Sequence, residues 1–183
     1  TYCSVSNLLV FKFHYILFTK MDKKITDNFL PQDYFEYLQH MMLGPTNFPW
    51  LYNAEVANTG EIQDEHFYFT HNIYQDFQPT SSFFEEFIPF FKQLEMNAMV
   101  RARALLYANQ GKQIVHEKHI DFKFPHKTAV FYMNTNNGYT EFEDGTKVES
   151  VENRIVFFDG SIPHNSSTCT DQKTRAVISV NYF

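Results

Sequence analysis

The chain has 183 residues, which predicts one domain with a sizeable core, and its 21 Phe and 11 Tyr favour strands around an aromatic interior. A formal net charge of −6 without any basic stripe disfavours a nucleic-acid backbone as the main partner. Two cysteines, Cys3 and Cys169, are too few for a disulfide framework, so we expect a reducing, cytoplasmic environment.

The first residues of the chain include a short apolar run. The apolar run 8–18 is too short to span a bilayer, and no small-residue cleavage site of a signal peptide follows it. We therefore expect Met21 to be the natural start, residues 1–20 to be an upstream or fragmentary extension, and residues 21–183 to form a single domain without a membrane partner. The alternative is an extra N-terminal strand or helix packed on the domain.

The first half of the chain mixes short strands with helices. Residues 25–30 predict a strand, and Pro31 suits the first position of a helix that ends at Gly44. The aromatic runs 48–53 and 66–75 predict two further strands, separated by an acidic loop.

A second helix is predicted after these strands. Ser82 with Glu85 three residues later has the pattern of a capping box, and an apolar stripe at helical spacing follows. Pro89 lies inside that stripe and should kink or divide the helix.

From residue 99 onward, short apolar and aromatic runs follow one another at even spacing. The turn signals at 136–138 and 144–145 mark tight turns between them. This pattern predicts a sandwich or barrel, of which the jelly roll hosts a site in its mouth. We therefore predict a mainly β (α+β) fold, a double-stranded β-helix (jelly roll, cupin-like) over about 99–183, with the N-terminal helices packed on one sheet.

The run VHEKHIDFKF, residues 115–124, contains the first chemically suggestive group. In a strand, residues i and i+2 point to the same face, so His119 and Asp121 would present an imidazole and a carboxylate side by side. His164 follows the apolar run 154–158. Two His and one carboxylate on one side of a metal leave other positions open, which selects non-haem Fe(II).

The last strand candidate opens with Arg175, whose guanidinium fork matches a carboxylate bidentately. Its alternate residues, from Arg175 to Asn181, mix polar and apolar side chains, while the other face is plain core. The mixed face points either into a ligand cavity or to solvent, and the Arg favours the cavity. A metal site that also holds a dicarboxylic acid is therefore predicted, although Arg175 could instead pair with a surface acid.

Other histidines compete for these roles. His116 falls on the opposite alternation from Asp121, so we expect it on the surface, and the HEKH run is one residue short of the HExxH zinc motif. His126 follows Pro125 and is expected in a loop rather than as a ligand. His66 and His71 lie in aromatic strand candidates and are expected to be structural.

The order H-x-D, a distal His and an Arg on the next strand resembles the 2-oxoglutarate- and Fe(II)-dependent dioxygenases, in their prolyl-4-hydroxylase-like branch. The resemblance covers about 99–183, through the runs ARALLYANQ, TAVFYMNTN, NRIVFFDGSIPHNSS and TRAVISVNYF. The N-terminal runs TDNFLPQDYFEYL and FPWLYN resemble small oxygenases encoded by marine phages and metagenomes.

The resemblance implies roles for individual residues. It implies a metal bound by His119, Asp121 and His164. It implies a salt bridge from Arg175 to the distal carboxylate of 2-oxoglutarate, and further cosubstrate-binding side chains at Tyr132, Tyr107 and Asn181. Tyr132 matches a tyrosine that donates to that carboxylate, with ordinary core as its alternative, and Tyr107 matches an aromatic that lines the pocket. Asn181 stands where some relatives carry a bulky aromatic, which would alter the pocket floor, and its alternative role is to orient a metal ligand.

The activity implied is a dioxygenase that uses Fe(II), 2-oxoglutarate and O2 to hydroxylate a peptidyl (for example prolyl) or small-molecule substrate, with release of succinate and CO2. Ascorbate is left open as an additional cofactor, and so is the oligomeric state. A phage-encoded chain would work in the host cytoplasm. The alternatives are a catalytically silent jelly-roll binding module and a zinc-dependent hydrolase on the same ligands, which would leave Arg175 unexplained.

Overall fold

The computed structural model describes residues 23–56 and 65–183. The expected start at Met21 and the extension 1–20 lie outside these residues. In chain order the elements are β1 Lys24–Thr26, α1 Gln32–Leu43, β2 Leu51–Asn53, β3 Tyr68–Gln75, β4 Gln78–Pro79, a 3-10 helix Phe84–Phe87, α2 Ile88–Lys92, β5 Met99–Ala108, β6 Lys127–Tyr132, β7 Tyr139–Phe142, β8 Lys147–Glu149, β9 Arg154–Asp159, β10 His164–Ser166 and β11 Thr174–Tyr182.

The strands form two antiparallel sheets. Within the described ranges, eight strands make a large sheet in the order β1-β9-β6-β11-β5-β3-β2, with β4 paired to β3, and three make a small sheet in the order β10-β7-β8. Apolar side chains of β7 and β8 share one cluster with side chains of β5, β6, β9 and β11, so the two sheets face each other. The predicted double-stranded β-helix is therefore confirmed.

The helices cover the outer face of the large sheet. Phe35 of α1 and Phe90 of α2 both contact Phe131 of β6, with ring centroids 6.0 and 5.2 Å apart. Leu38 is also fully buried in this cluster, as is Ile178 of β11. Burying aromatic and aliphatic side chains of this size stabilises the fold by about 1.5–3 kcal/mol each. The predicted packing of the helices on one sheet is thus observed.

The helix boundaries follow the predicted signals with one exception. Pro31 precedes the first turn of α1, and Gly44 ends it. Pro89 divides the second helical segment, since a 3-10 helix gives way to α2 at Ile88. The capping box at Ser82 was wrong, because it is Ser81 Oγ that accepts the backbone N–H of Phe83, at 2.9 Å.

The run 115–124 is not a regular strand, which corrects the geometry assumed for the sequence motif. Its β-pairing is limited to two isolated bridges, Val115 with Ser167 and His119 with His164. The final strand behaves as its alternation predicted. Arg175, Val177 and Ser179 of β11 line a cavity, whereas the intervening residues join the core under the helices.

Candidate active site

A cavity of about 780 Å³ opens between the two sheets. Strand β5 supplies alternate residues to its wall, because side chains two apart on a strand share a face. From the Asp121 end of the cavity to the Arg175 end, these residues are Arg101, Arg103, Leu105 and Tyr107. The neighbouring β11 runs antiparallel to β5 and sets Arg175 directly opposite Tyr107.

Three of the predicted residues meet at one end of this cavity. The ligand atoms of His119, Asp121 and His164 lie within 4.8 Å of one another, which makes them a group that could hold one metal ion. Mutual backbone hydrogen bonds of 2.9 Å between His119 and His164 bring the two imidazoles together, with ring centroids 4.8 Å apart. The structure thus unites residues that lie more than forty positions apart in sequence.

Each imidazole is oriented by its own backbone. His164 Nδ1 lies 2.9 Å from the carbonyl oxygen of Ile162, which leaves Nε2 directed at Asp121, 3.8 Å from Oδ2. His119 Nδ1 is 3.3 Å from the carbonyl oxygen of Glu117. Anchoring Nδ1 as a donor fixes the tautomer whose Nε2 lone pair can ligate a metal.

The Asp121 carboxylate is held by three donors. Arg101 Nη2 donates to Oδ1 at 2.9 Å, while Asn181 Nδ2 and Thr128 Oγ1 donate to Oδ2 at 2.8 and 3.1 Å. Burial raises the pKa of this carboxyl group, but the neighbouring His164 and Arg101 outweigh burial and hold the pKa below its ordinary value. Asp121 is therefore an ionised carboxylate with a fixed orientation.

The imidazole of His119 is kept neutral. Burial lowers its pKa, and His164 lowers it further, against the opposing influence of Asp121. A neutral imidazole is the form that binds a metal. Two imidazoles and one carboxylate have the donor set of a non-haem Fe(II) site with open positions.

Arg175 is a buried cation on the wall of the same cavity. It is 1% exposed, its Nε donates to Ser150 Oγ at 2.8 Å, and its Nη2 donates to Thr140 Oγ1 at 3.1 Å. Its Nη1 is buried without a hydrogen-bond partner, and no described carboxylate forms an ion pair with it. An unpaired donor of this kind is costly in isolation and fits an anionic ligand such as a carboxylate.

Two tyrosines surround this guanidinium. The rings of Tyr107 and Tyr132 lie 5.4 and 5.6 Å from Arg175 Cζ. Tyr107 lines the cavity, whereas Tyr132 does not and donates its hydroxyl to Thr140 Oγ1 at 2.9 Å. Burial raises the pKa of both hydroxyls, so both remain protonated donors. Their roles in holding a cosubstrate stay predictions.

Asn181 is fully buried and lies against Asp121 rather than on the cavity wall. Besides Asp121, its Nδ2 reaches Thr128 Oγ1 at 2.9 Å, and its Oδ1 accepts from Arg101 Nε at 3.1 Å. Its cosubstrate-binding role stays a prediction, while its observed contacts position the carboxylate that would ligate the metal.

The remaining histidines are settled by their contacts. His116 was expected on the surface, which was wrong: it is 2% exposed, and its ring packs on that of Tyr107 in a tilted arrangement, with centroids 5.2 Å apart. His126 lies in the loop before β6 and binds the carbonyl oxygen of Phe124 through Nδ1. His71 forms hydrogen bonds with the carbonyl oxygen of Pro49 and the hydroxyl of Ser81, which fits the structural role expected of it.

Sequence reasoning missed Arg101 and Arg103 as cavity residues. The signal was available, because both share the alternation of Tyr107 along β5, and Tyr107 was already placed in the pocket. Thr140 and Ser150, which bind Arg175, carry no comparable signal, since they come from β7 and a loop after β8.

Neither a protein-family model nor a curated protein matches this sequence. Solved structures do. A prolyl hydroxylase from Trichoplax adhaerens, solved with a peptide fragment of the hypoxia inducible factor oxygen degradation domain, has a TM-score of 0.64 at 14% identity, covering 88% of this chain and 83% of its own.

Two further structures are similar over most of their length. A 2OG-Fe(II) oxygenase family oxidoreductase from Burkholderia pseudomallei has a TM-score of 0.63 at 9% identity, covering 87% of this chain and 84% of its own. A viral collagen prolyl hydroxylase from Paramecium Bursaria Chlorella virus-1, in a 2OG complex, has a TM-score of 0.55 at 11% identity, covering 88% and 96%. The chain therefore shares the fold of prolyl hydroxylases and 2OG-Fe(II) oxygenases.

Proposed function

We propose that this protein is a non-haem Fe(II)- and 2-oxoglutarate-dependent dioxygenase that hydroxylates its substrate and releases succinate and CO2. One observation carries the proposal: a two-His, one-carboxylate group and a buried Arg with an unpaired Nη1 line the same cavity. A hydrolytic metal site needs the first feature but not the second.

The residues divide the work as follows. His119, Asp121 and His164 would hold the iron on one side, leaving its other positions for cosubstrate and O2. The bound iron and 2-oxoglutarate supply the oxidising chemistry. Arg175 would bind the distal carboxylate of 2-oxoglutarate through the unpaired Nη1, with Tyr107 beside it in the cavity. Tyr132 would contribute through Thr140, to which its hydroxyl donates.

The charges in the cavity support this assignment. A dicarboxylate would bring two negative charges, one for the buried Arg175 and one for a metal held by His119, Asp121 and His164. Without that ligand, the guanidinium would be a desolvated cation with only two hydroxyl partners, Ser150 and Thr140. An account without a dicarboxylate leaves that buried charge unexplained.

The substrate is proposed at the level of class. The similar Trichoplax adhaerens enzyme was solved with a peptide fragment, which supports a peptidyl substrate, and a small molecule is the other possibility. We also propose a single domain over 21–183 and a cytoplasmic location, the host cytoplasm if a phage encodes the chain. No helix in the described ranges is long and apolar enough to cross a membrane.

The deciding experiment is an anaerobic Fe(II) titration with and without 2-oxoglutarate, monitored by the visible charge-transfer band of the chelate. We expect the band to appear with both additions and to disappear in His164→Ala. His40→Ala, on the exposed side of α1, is the matched control and should keep the band. In air, succinate release should require both Fe(II) and 2-oxoglutarate.

Iron binding without any band would overturn the cosubstrate assignment and favour a metal hydrolase. Absence of metal binding in the wild-type protein would favour a silent binding module. Succinate formed equally well without added Fe(II) after chelator treatment would contradict the metal assignment.

A further inference from the structure

The cavity wall includes a second guanidinium, that of Arg103, which the proposed chemistry does not use. Arg103 lines the cavity from the middle of β5, directly across from Ser179 of β11. Its Nε is buried without a hydrogen-bond partner, and no described carboxylate lies within ion-pair distance of it. A half-buried Arg in this state is prepared for an anion.

Arg103 and Arg175 are too far apart along the sheet to share one carboxylate. Arg175 stands opposite Tyr107, and Arg103 lies four residues before Tyr107, about 13 Å away at the rise of a strand. Arg175 is moreover tied to Ser150 and Thr140, away from β5. The carboxylate bound to Arg175 therefore cannot also be the partner of Arg103.

Arg101 and the metal group, which comprises His119, Asp121 and His164, lie on the side of Arg103 that faces away from Arg175. Arg101 is neutralised by Asp121 at 2.9 Å, so it is not available to a ligand. Arg103 and Arg101 are two residues apart on the cavity face of β5, about 7 Å along the strand, so Arg103 lies next to the Arg that binds Asp121. Arg103 thus stands beside the metal group, where the reacting part of a substrate would lie.

The charged residues of the whole cavity also favour an anionic ligand. Among its described lining residues, the cations outnumber the acids: Arg101, Arg103, Lys118 and Arg175 against Glu55 and Asp121. The chain as a whole carries −6, so this local excess of positive charge opposes the general trend. Bound Fe(II) and a dicarboxylate would cancel each other and leave the excess in place.

We propose that the substrate of this dioxygenase carries a carboxylate, which Arg103 binds beside the metal ligands. The inference rests on the proposed function. It identifies the substrate class as carboxylic acids. The carboxylate would belong either to a free amino or organic acid or to an acidic side chain of a peptide. Neutral peptides and uncharged small molecules are excluded as preferred substrates.

The test compares acids with their own amides. The anaerobic Fe(II)–2-oxoglutarate complex is titrated with a panel of free amino and dicarboxylic acids and of Asp- and Glu-containing peptides, each beside its carboxamide, while the chelate band is followed. Acids that shift the band are then assayed for stimulated succinate release. We expect amidation to weaken the effect at least about tenfold. A response to free acids or to peptides distinguishes the two sources.

The variants assign the effect to one residue. Arg103→Gln should raise the KM of the responding acid about tenfold or more, remove the preference over the amide, and leave the 2-oxoglutarate KM and the chelate band unchanged. Arg103→Lys should restore part of the preference. Arg154→Gln, which removes an Arg paired with Asp27 outside the cavity, is the matched control and should behave as wild type.

Three results would overturn the inference. The first is that no acid in the panel shifts the band, and the second is that amides shift it as well as acids do. The third is that Arg103→Gln weakens the binding of 2-oxoglutarate instead of the binding of the substrate. Failure of the underlying function looks different, because the chelate band itself would then be missing from the wild-type protein before any acid is added.

Discussion

Asn181 Nδ2 lies 2.8 Å from Asp121 Oδ2, and the side chain that makes this bond is completely buried. The same amide accepts from Arg101 Nε through its oxygen, and Arg101 in turn binds the other oxygen of Asp121. One side chain on β11 therefore supports both the carboxylate and the cation that neutralises it. Partners of this kind fix a ligand before the metal arrives.

We expect Asn181→Ala to lower Fe(II) affinity by about 10- to 100-fold, the usual effect of removing a residue that orients a metal ligand. An anaerobic titration measures the dissociation constant. Asn109→Ala, just beyond the other end of β5, is the control and should not change it. Unchanged iron affinity in Asn181→Ala would show that Arg101 and Thr128 orient Asp121 without the amide.

Arg175 should matter to the cosubstrate and not to the metal. In Arg175→Gln we expect 2-oxoglutarate binding to weaken by on the order of 2–5 kcal/mol, because a charge-assisted bond to a buried carboxylate is lost. Fe(II) affinity should stay within about twofold. The 2-oxoglutarate concentration needed for half-maximal succinate release is the measurement. An unchanged requirement would contradict the assigned role of Arg175.

Two glycines allow the two ends of the site to be perturbed separately. A Cβ on Gly138 would meet Arg175 Cδ at 2.6 Å, whereas a Cβ on Gly160 would overlap the side chains of His126 and Thr128. Overpacking of this kind costs about 1–3 kcal/mol. We expect Gly138→Ala to weaken the binding of 2-oxoglutarate selectively. Gly160→Ala should weaken the binding of Fe(II) selectively, because the displaced Thr128 binds Asp121.

Both binding constants should be measured for each glycine variant, with Gly145→Ala as a control. Gly145 has open space around its Cβ and a φ of +81°, so its substitution strains a turn without touching the cavity. It should lower the stability of the protein and leave both constants unchanged. Equal losses of both ligands in all three variants would mean that the changes act through general destabilisation.

What the sequence predicted well depends on regular backbone. The period-two alternation of β11 places Arg175 on the cavity wall because that strand is paired on both sides over most of its length. The same rule failed for His116, since 115–124 has only isolated bridges and no strand geometry to impose the alternation. His119 and Asp121 still meet, but through backbone pairing of His119 with His164.

The polar partners of the site were not predictable from local pattern. Asn181, Thr128 and Arg101 bind Asp121 from three strands, β11, β6 and β5, whose neighbourhood is decided by the sheet order. A sequence shows which residues share a face of one strand. It does not show which strands lie side by side, because that depends on crossovers between them.

His116 provides a prediction about pH. Burial lowers the pKa of its imidazole to about 3, and the neighbouring His66 and Arg175 add to this, while the hydrogen bond with Ser166 opposes it. Tyr107 packs on the ring. Because the folded pKa lies below the unfolded value of about 6.5, the unfolded chain binds the proton more readily. The contribution to stability is therefore complete above about pH 6.5 and is lost as the pH falls toward 3.

At about pH 5, protonation of this single group in the unfolded chain should lower the free energy of unfolding by about 2 kcal/mol relative to about pH 7. This follows from about 1.4 kcal/mol for each pH unit below the unfolded pKa. Urea denaturation of the metal-free protein at both pH values measures the loss. His116→Gln removes the titrating group, so its loss between the two pH values should be smaller than that of the wild type by this amount. His40→Gln, on an exposed helix position, should retain the wild-type dependence. Equal pH dependence of stability in wild type and His116→Gln would show that the imidazole of His116 does not control the acid sensitivity. The sensitivity would then belong to His71, whose pKa is also lowered by burial.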